Sequence, residues 1–121
     1  MADEQVADLE GIAVDAKRHR FAVERAHFWA RNQIVWAGPE EVPEKLARLV
    51  SSLSGALERA GFRAEEREFA PHVTLIRKAL KPVPLPPLPA VRWPVDEFLL
   101  VRSRLSAAGA RYEVMRRFAL P

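Results

Sequence analysis

An α+β fold with antiparallel sheets and packed helices is what the sequence predicts, from three features. One strongly amphipathic helix lies between Pro43 and Gly61. Short runs of β-branched and aromatic residues, bounded by turn residues, fall before and after it. A turn containing Gly109 joins two longer runs near the C-terminus. The order helix, two strands, helix, strand, hairpin is that of an α+β chain.

Val6, Leu9, Ile12 and Ala16 recur at three- and four-residue spacing and predict a helix over 3–18. Gly11 weakens it, at a cost of about 1 kcal/mol against Ala in a helix interior. Phe21 and Val23 alternate with Ala22 and Glu24, predicting a strand over 20–27. A second strand over 32–37 puts Ile34 and Trp36 on one face, and Gly38-Pro39 ends it. In the amphipathic helix, Leu46, Leu49, Val50, Leu53 and Leu57 form one apolar stripe, extended by Ala56 and Ala60. Pro43 suits its first turn and Gly61 its C-terminal cap. This stripe is core. The charged run 63–68 leads, as strand or loop, into the strand that follows.

Residues 82–89 read Pro-Val-Pro-Leu-Pro-Pro-Leu-Pro, five prolines in eight positions. That composition favours an extended connection, and a stiff crossover loop is a simpler account than a ligand for an SH3-type domain. Trp93, followed by Pro94, is expected to pack against the helix. Strands over 95–105 and 111–120 close the chain. In the last one Tyr112, Val114 and Phe118 share a face, with Arg111, Glu113 and Arg117 on the other.

At 121 residues the chain is one domain with one modest core. Nineteen Lys and Arg against 16 Asp and Glu give a mild charge of +3. The preponderance of Arg over Lys favours bidentate contacts with phosphate or carboxylate wherever a site exists. The absence of cysteine excludes disulfides, thiol nucleophiles and Cys-based metal sites. No apolar run approaches a membrane span, and the acidic start is not a signal peptide, so no membrane partner and a cytoplasmic location are expected.

The stretch with chemistry in it is Phe69-Ala70-Pro71-His72-Val73-Thr74-Leu75-Ile76-Arg77, read as a short strand. Alternation puts His72, Thr74 and Ile76 on one face and Val73 and Leu75 on the other, with His72 and Thr74 about 7 Å apart. An imidazole moves a proton near neutral pH, and a threonine hydroxyl bonds an anionic oxygen. The pair suits phosphate ester chemistry, although a lone His-x-Thr matches by accident more often than not. His27-Phe28-Trp29-Ala30-Arg31 offers a ring for base stacking with an Arg beside it. The plainer reading of Phe28 and Trp29, one core residue and one interface residue, is favoured.

The stretch around His72 resembles the second signature of the two-histidine (2H) phosphoesterases. Within that superfamily it is most similar to the bacterial 2′-5′ RNA ligase group, also described as RNA 2′,3′-cyclic phosphodiesterases. Two more stretches agree, in the same order over nearly the whole chain. Gln33-Ile34-Val35-Trp36-Ala37-Gly38 resembles the strand before the family's long helix. The stretch from Ser103 to Val114 resembles its closing hairpin, Ser-x-Leu before Gly-x-x-Tyr. The resemblance implies two α+β lobes facing each other across a cleft, each contributing one His-x-Thr/Ser strand. One histidine acts as base, the other protonates the departing ribose oxygen, and the hydroxyls hold the non-bridging phosphate oxygens. No metal or other cofactor is implied. His72 and Thr74 match the motif as catalytic residues. Arg77 matches a basic, substrate-binding position, although strict alternation points it away from His72.

The family's first motif has no counterpart. Thr74 is the single threonine and no serine has a histidine two places before it, so the sequence holds no second His-x-Thr/Ser. The chain is therefore expected to be one 2H-like domain truncated at its N-terminus, with an incomplete lobe over 1–42 and a second lobe over 43–121. Four readings follow. Two chains build a composite cleft as a homo-oligomer; His27 stands in as a substrate-binding imidazole; the chain is an inactive phosphate- or RNA-binding module; or it is a fragment of a longer enzyme. The strands over 20–27 and 32–37, left as a two-stranded ribbon with open edges, predict self-association through the N-terminal half. The expected substrate is RNA or a nucleotide with a 2′,3′-cyclic phosphate, hydrolysed rather than ligated, because ligation needs two RNA ends positioned together.

Overall fold

The helix between Pro43 and Gly61 forms between the stop signals the sequence provides. In the computed structural model, which describes residues 3–63 and 69–121, it is α2 (Glu44–Arg59). Pro43 is its N-cap, in extended conformation, and the Pro43 carbonyl accepts the Ala47 amide at 2.9 Å. At the other end Gly61 has φ 91°, the Gly61 amide donates to the Glu58 carbonyl, and the Phe62 amide donates to the Leu57 carbonyl. These two bonds make a Schellman cap, which needs the left-handed residue that glycine supplies without a Cβ clash.

The remaining elements are α1 (Asp3–Glu10), β1 (His19–Val23), β2 (Arg25–Trp29), β3 (Ile34–Gly38), β4 (Val73–Ile76), β5 (Val91–Val95), β6 (Glu97–Ser106) and β7 (Gly109–Ala119). All pairing is antiparallel: β1 with β5, β2-β3-β4 as a three-stranded sheet, and β6 with β7. The fold class is α+β. The sheets mix strands from both sides of residue 42, since β1 pairs with β5 and β3 with β4.

The core sits between α2 and the strands that follow and precede it. Leu46 and Leu49 of α2 cluster with Ala16 and Leu120, and Val14, Phe21, Val95 and Phe98 pack around them. Backbone bonds tie Leu120 and Pro121 to this core. The Arg18 amide donates to the Pro121 carbonyl (2.9 Å), and the Leu120 amide to the Asp96 carbonyl (2.8 Å). Ser52 Oγ on α2 accepts the Asp15 amide at 2.7 Å.

Several expectations are corrected. The first helix ends at Glu10, because Gly11 halts it; Ala16 is buried from an irregular stretch instead. The strand expected over 20–27 is two strands hinged at Glu24, whose amide reaches the Gly38 carbonyl (3.1 Å). The two N-terminal runs do not form a ribbon with each other alone: β1 pairs with β5, and β2 with β3 in the sheet that β4 completes, so β1 and β2 each keep one open edge. Trp93 lies in β5 opposite Phe21 and is 49% exposed. Of the charged run 63–68, residues 64–68 lie outside the described residues. The segment 82–89 forms neither helix nor strand.

β7 also departs from simple alternation. Leu100 pairs with Arg116 and Val101 with Val114, so Met115 is skipped. A bulge of this kind reverses the faces beyond it. Phe118 therefore shares a face with Phe98, its stacked partner at 4.8 Å, and not with Val114.

Candidate functional site

Register places the site. In the three-stranded sheet β3 is central, and Trp36 lies opposite His27 on one side and Thr74 on the other. The three form one row across one face. Trp29, two residues after His27, shares that face, and His72 stands just ahead of β4, two residues before Thr74.

The rings then close up. His27 stacks on Trp36 with centroids 4.1 Å apart and planes at 18°. Trp29 tilts against Trp36 at 4.5 Å and meets His72 edge-on at 4.9 Å and 69°. Trp36 itself lies 6.1 Å from His72. The backbone ahead of His72 comes close because residue 38 is glycine. A Cβ there would sit 2.8 Å from the Pro71 carbonyl oxygen and 2.6 Å from Trp36 Cζ3.

His72 Nδ1 lies 2.8 Å from the Ala70 carbonyl oxygen. A carbonyl only accepts, so Nδ1 carries the hydrogen and Nε2 is the nitrogen left for proton transfer. His19 holds the same posture towards the Lys17 carbonyl (2.9 Å), but it is buried and its Nε2 is walled in without a partner. His27 Nε2 is likewise shut off from solvent beneath the stack. Of the chain's three histidines, His72 alone is exposed. Thr74 is half-buried beside it.

A bulge corrects the reading of β4. Val35 pairs with Ile76 and Trp36 with Thr74, so Leu75 is skipped. Ile76 therefore falls on the face of Val35, which is 2% exposed, and not on the face of His72 and Thr74. Arg77 follows the last residue of β4 and is exposed, so strand alternation does not assign it a face.

The site elements carry a one-signed charge. Residues 25–39 and 69–95 contain no Asp or Glu. Among the described residues Arg31, Arg77, Lys78 and Lys81 are exposed and meet no carboxylate, whereas Arg25 is paired with Glu40 at 3.1 Å. No group of three His, Cys, Asp or Glu able to hold a metal ion occurs among the described residues. No helix among them is long and apolar enough to cross a membrane.

The arrangement sets a free imidazole nitrogen and a hydroxyl on one sheet face, with unpaired cations in the loops that follow β2 and β4, and an anionic phosphate ester suits such a setting. Sequence reasoning placed His72 and Thr74 together correctly on that face. It missed Trp36 as the ring joining them to His27. Trp29, for which the packing reading was favoured, packs against both Trp36 and His72. The run of residues without acids was a signal open to reading.

Comparison with known proteins bears on this site. Residues 37–112 match the model of the family described as LigT like Phosphoesterase. An RNA 2′,3′-cyclic phosphodiesterase of Escherichia coli is 36% identical over 94 residues, covering 76% of this chain and 53% of that protein. One from Thermus thermophilus is 37% identical over 93 residues, covering 71% and 46%. The chain thus spans about half the length of these relatives. The crystal structure of E. coli LigT complexed with 3′-AMP superposes with a TM-score of 0.81 at 30% identity, covering 99% of this chain and 70% of that one. The same protein has also been crystallised with NADP+.

Proposed function

Since the chain belongs to the LigT-like phosphoesterase family, we propose that His72 and Thr74 are one half of a site that hydrolyses RNA 2′,3′-cyclic phosphate. The observation that carries this reading is the exposed His72 ring, its Nδ1–H held by the Ala70 carbonyl and its Nε2 free, on the sheet face of Thr74. In the reaction one imidazole nitrogen takes a proton from water as its oxygen attacks phosphorus. The bond from phosphorus to one ribose oxygen breaks, and a second imidazole gives that oxygen a proton. The product is a phosphomonoester beside a free ribose hydroxyl. The Thr74 hydroxyl bonds a non-bridging oxygen, and Arg77 adds positive charge where the phosphate gathers negative charge. The 3′-AMP and NADP+ complexes of the structural relative support a nucleotide-sized ligand.

His72 needs a partner imidazole. His19 and His27 have their Nε2 atoms buried, which disfavours either in that role. The second group then comes from outside this sequence, and a second copy of the chain is the source we favour. The alternative is a phosphate- or RNA-binding module without turnover, or a portion of a longer enzyme; the single His-x-Thr motif favours it. Hydrolysis of an RNA oligonucleotide ending in a 2′,3′-cyclic phosphate, wild type against His72→Ala, separates the two. Turnover lost in the variant supports the enzyme. No turnover above the variant leaves the binding reading.

A further inference from the structure

The end of the three-stranded sheet beyond Thr74 carries features that the reaction does not use. β2 ends at Trp29, the hairpin residues 30–33 follow, and β4 leaves the sheet at Ile76 beside Val35, at the same end. The Ala79 amide donates to the Gln33 carbonyl at 2.8 Å and ties the two loops together. Gln33 and Lys78 both have φ 57°, the only non-glycine residues in the left-handed region among those described. Such backbone persists where the surroundings over-determine it, often at binding loops. The tie brings Arg31, two residues before Gln33, to the same edge as Lys78 and Lys81, which flank Ala79. All three are exposed and, among the described residues, without a carboxylate partner.

Trp29 links this basic edge to the phosphate site. It stands at the edge end of β2, yet its ring reaches within 4.9 Å of His72. It is half-buried, while Trp36 behind it is 8% exposed, so the pile His27–Trp36–Trp29 is anchored at its centre. A fixed aromatic ring followed by unpaired cations is the pattern that holds single-stranded nucleic acid.

We propose that Trp29, Arg31, Lys78 and Lys81 form a subsite for the nucleotide flanking the scissile phosphate, so that the ligand is a single strand of RNA rather than a mononucleotide. The base stacks on Trp29 and the next phosphates meet the three cations. This rests on the reading of His72 and Thr74 as the phosphate site. Specificity for base identity is low, because stacking and charge read no base edge.

The test compares a hexauridylate carrying a 3′-phosphate with inorganic phosphate, each titrated over a salt series. Single-strand binding loses about 0.7 in the log–log salt slope per phosphate contact. The variant Arg31→Gln, Lys78→Asn, Lys81→Gln is expected to flatten the oligonucleotide slope by about 2 and leave phosphate binding within about twofold; Asn tolerates the left-handed φ at 78. Trp29→Ala is expected to weaken the oligonucleotide about tenfold with its slope unchanged, and Trp29→Phe to restore most of that. An oligonucleotide that binds no tighter than phosphate, or a triple variant with the wild-type slope, overturns the subsite. Phosphate binding unaffected by His72→Ala and Thr74→Val would overturn the phosphate site itself, a separate result.

Discussion

At residue 72 the hydrogen bond made by one ring nitrogen sets which nitrogen is left open. With Nδ1–H committed to the Ala70 carbonyl, the His72 ring cannot turn over without losing that bond, and the Trp29 ring packs against it at 4.9 Å and 69°. Both constraints depend on the segment before β4 lying against β3, and Gly38 permits that approach. Gly38→Ala should push Pro71 and Trp36 apart, destabilise the chain by about 1–3 kcal/mol and weaken phosphate binding along with it. Thermal melts and a phosphate titration on the same variant check both effects; unchanged affinity would show that His72 is placed independently of Gly38. The motif made His72 and Thr74 legible in the sequence. The face of Ile76 was not, because a one-residue bulge at Leu75 is set by pairing with β3 and leaves no mark on β4's own pattern.

Among the elements, α2 was the most legible, since a 3.6-residue stripe and both caps agreed. Its extent, Glu44–Arg59, follows them closely. Strand β5 went unseen because the strand was expected to begin only at residue 95, past Pro94. Proline is tolerated there because β5 has one ladder partner, leaving an outer edge where a missing N–H costs little. The first helix was overextended because Ala16 continued the spacing past Gly11, and burial of Ala16 comes from tertiary packing rather than from helix. The weight of α2 in the core gives a direct expectation. Leu49, 5% exposed within the central cluster, should cost about 2–5 kcal/mol when cut to Ala, read from urea unfolding. A loss under about 1 kcal/mol would mean that the helix is peripheral to stability.

For the whole molecule, the unusual feature is an apolar sheet face without cover. Leu99, Val101, Leu105, Tyr112 and Val114 share one side of the β6–β7 hairpin by register, and each is at least 40% exposed. Exposed apolar residues grouped on one face, here with Arg117 and Ser103 among them, mark interaction surfaces. Self-association is therefore expected here, beside the open edges that β1 and β2 keep in the N-terminal half. Sedimentation velocity should show dimers that Val101→Lys and Val114→Lys together dissociate. A chain monomeric at high concentration would remove a second copy as the source of the missing imidazole.

The central claim is that one sheet face, carrying His72 and Thr74, receives a phosphate. NMR of the His72 ring protons and the Thr74 amide during a titration with inorganic phosphate tests it without requiring turnover. The account predicts that both signals move along one saturable curve, and that Thr74→Val weakens the curve seen at His72. Signals that stay fixed while phosphate binds elsewhere, or that move identically in the Thr74→Val variant, would contradict it.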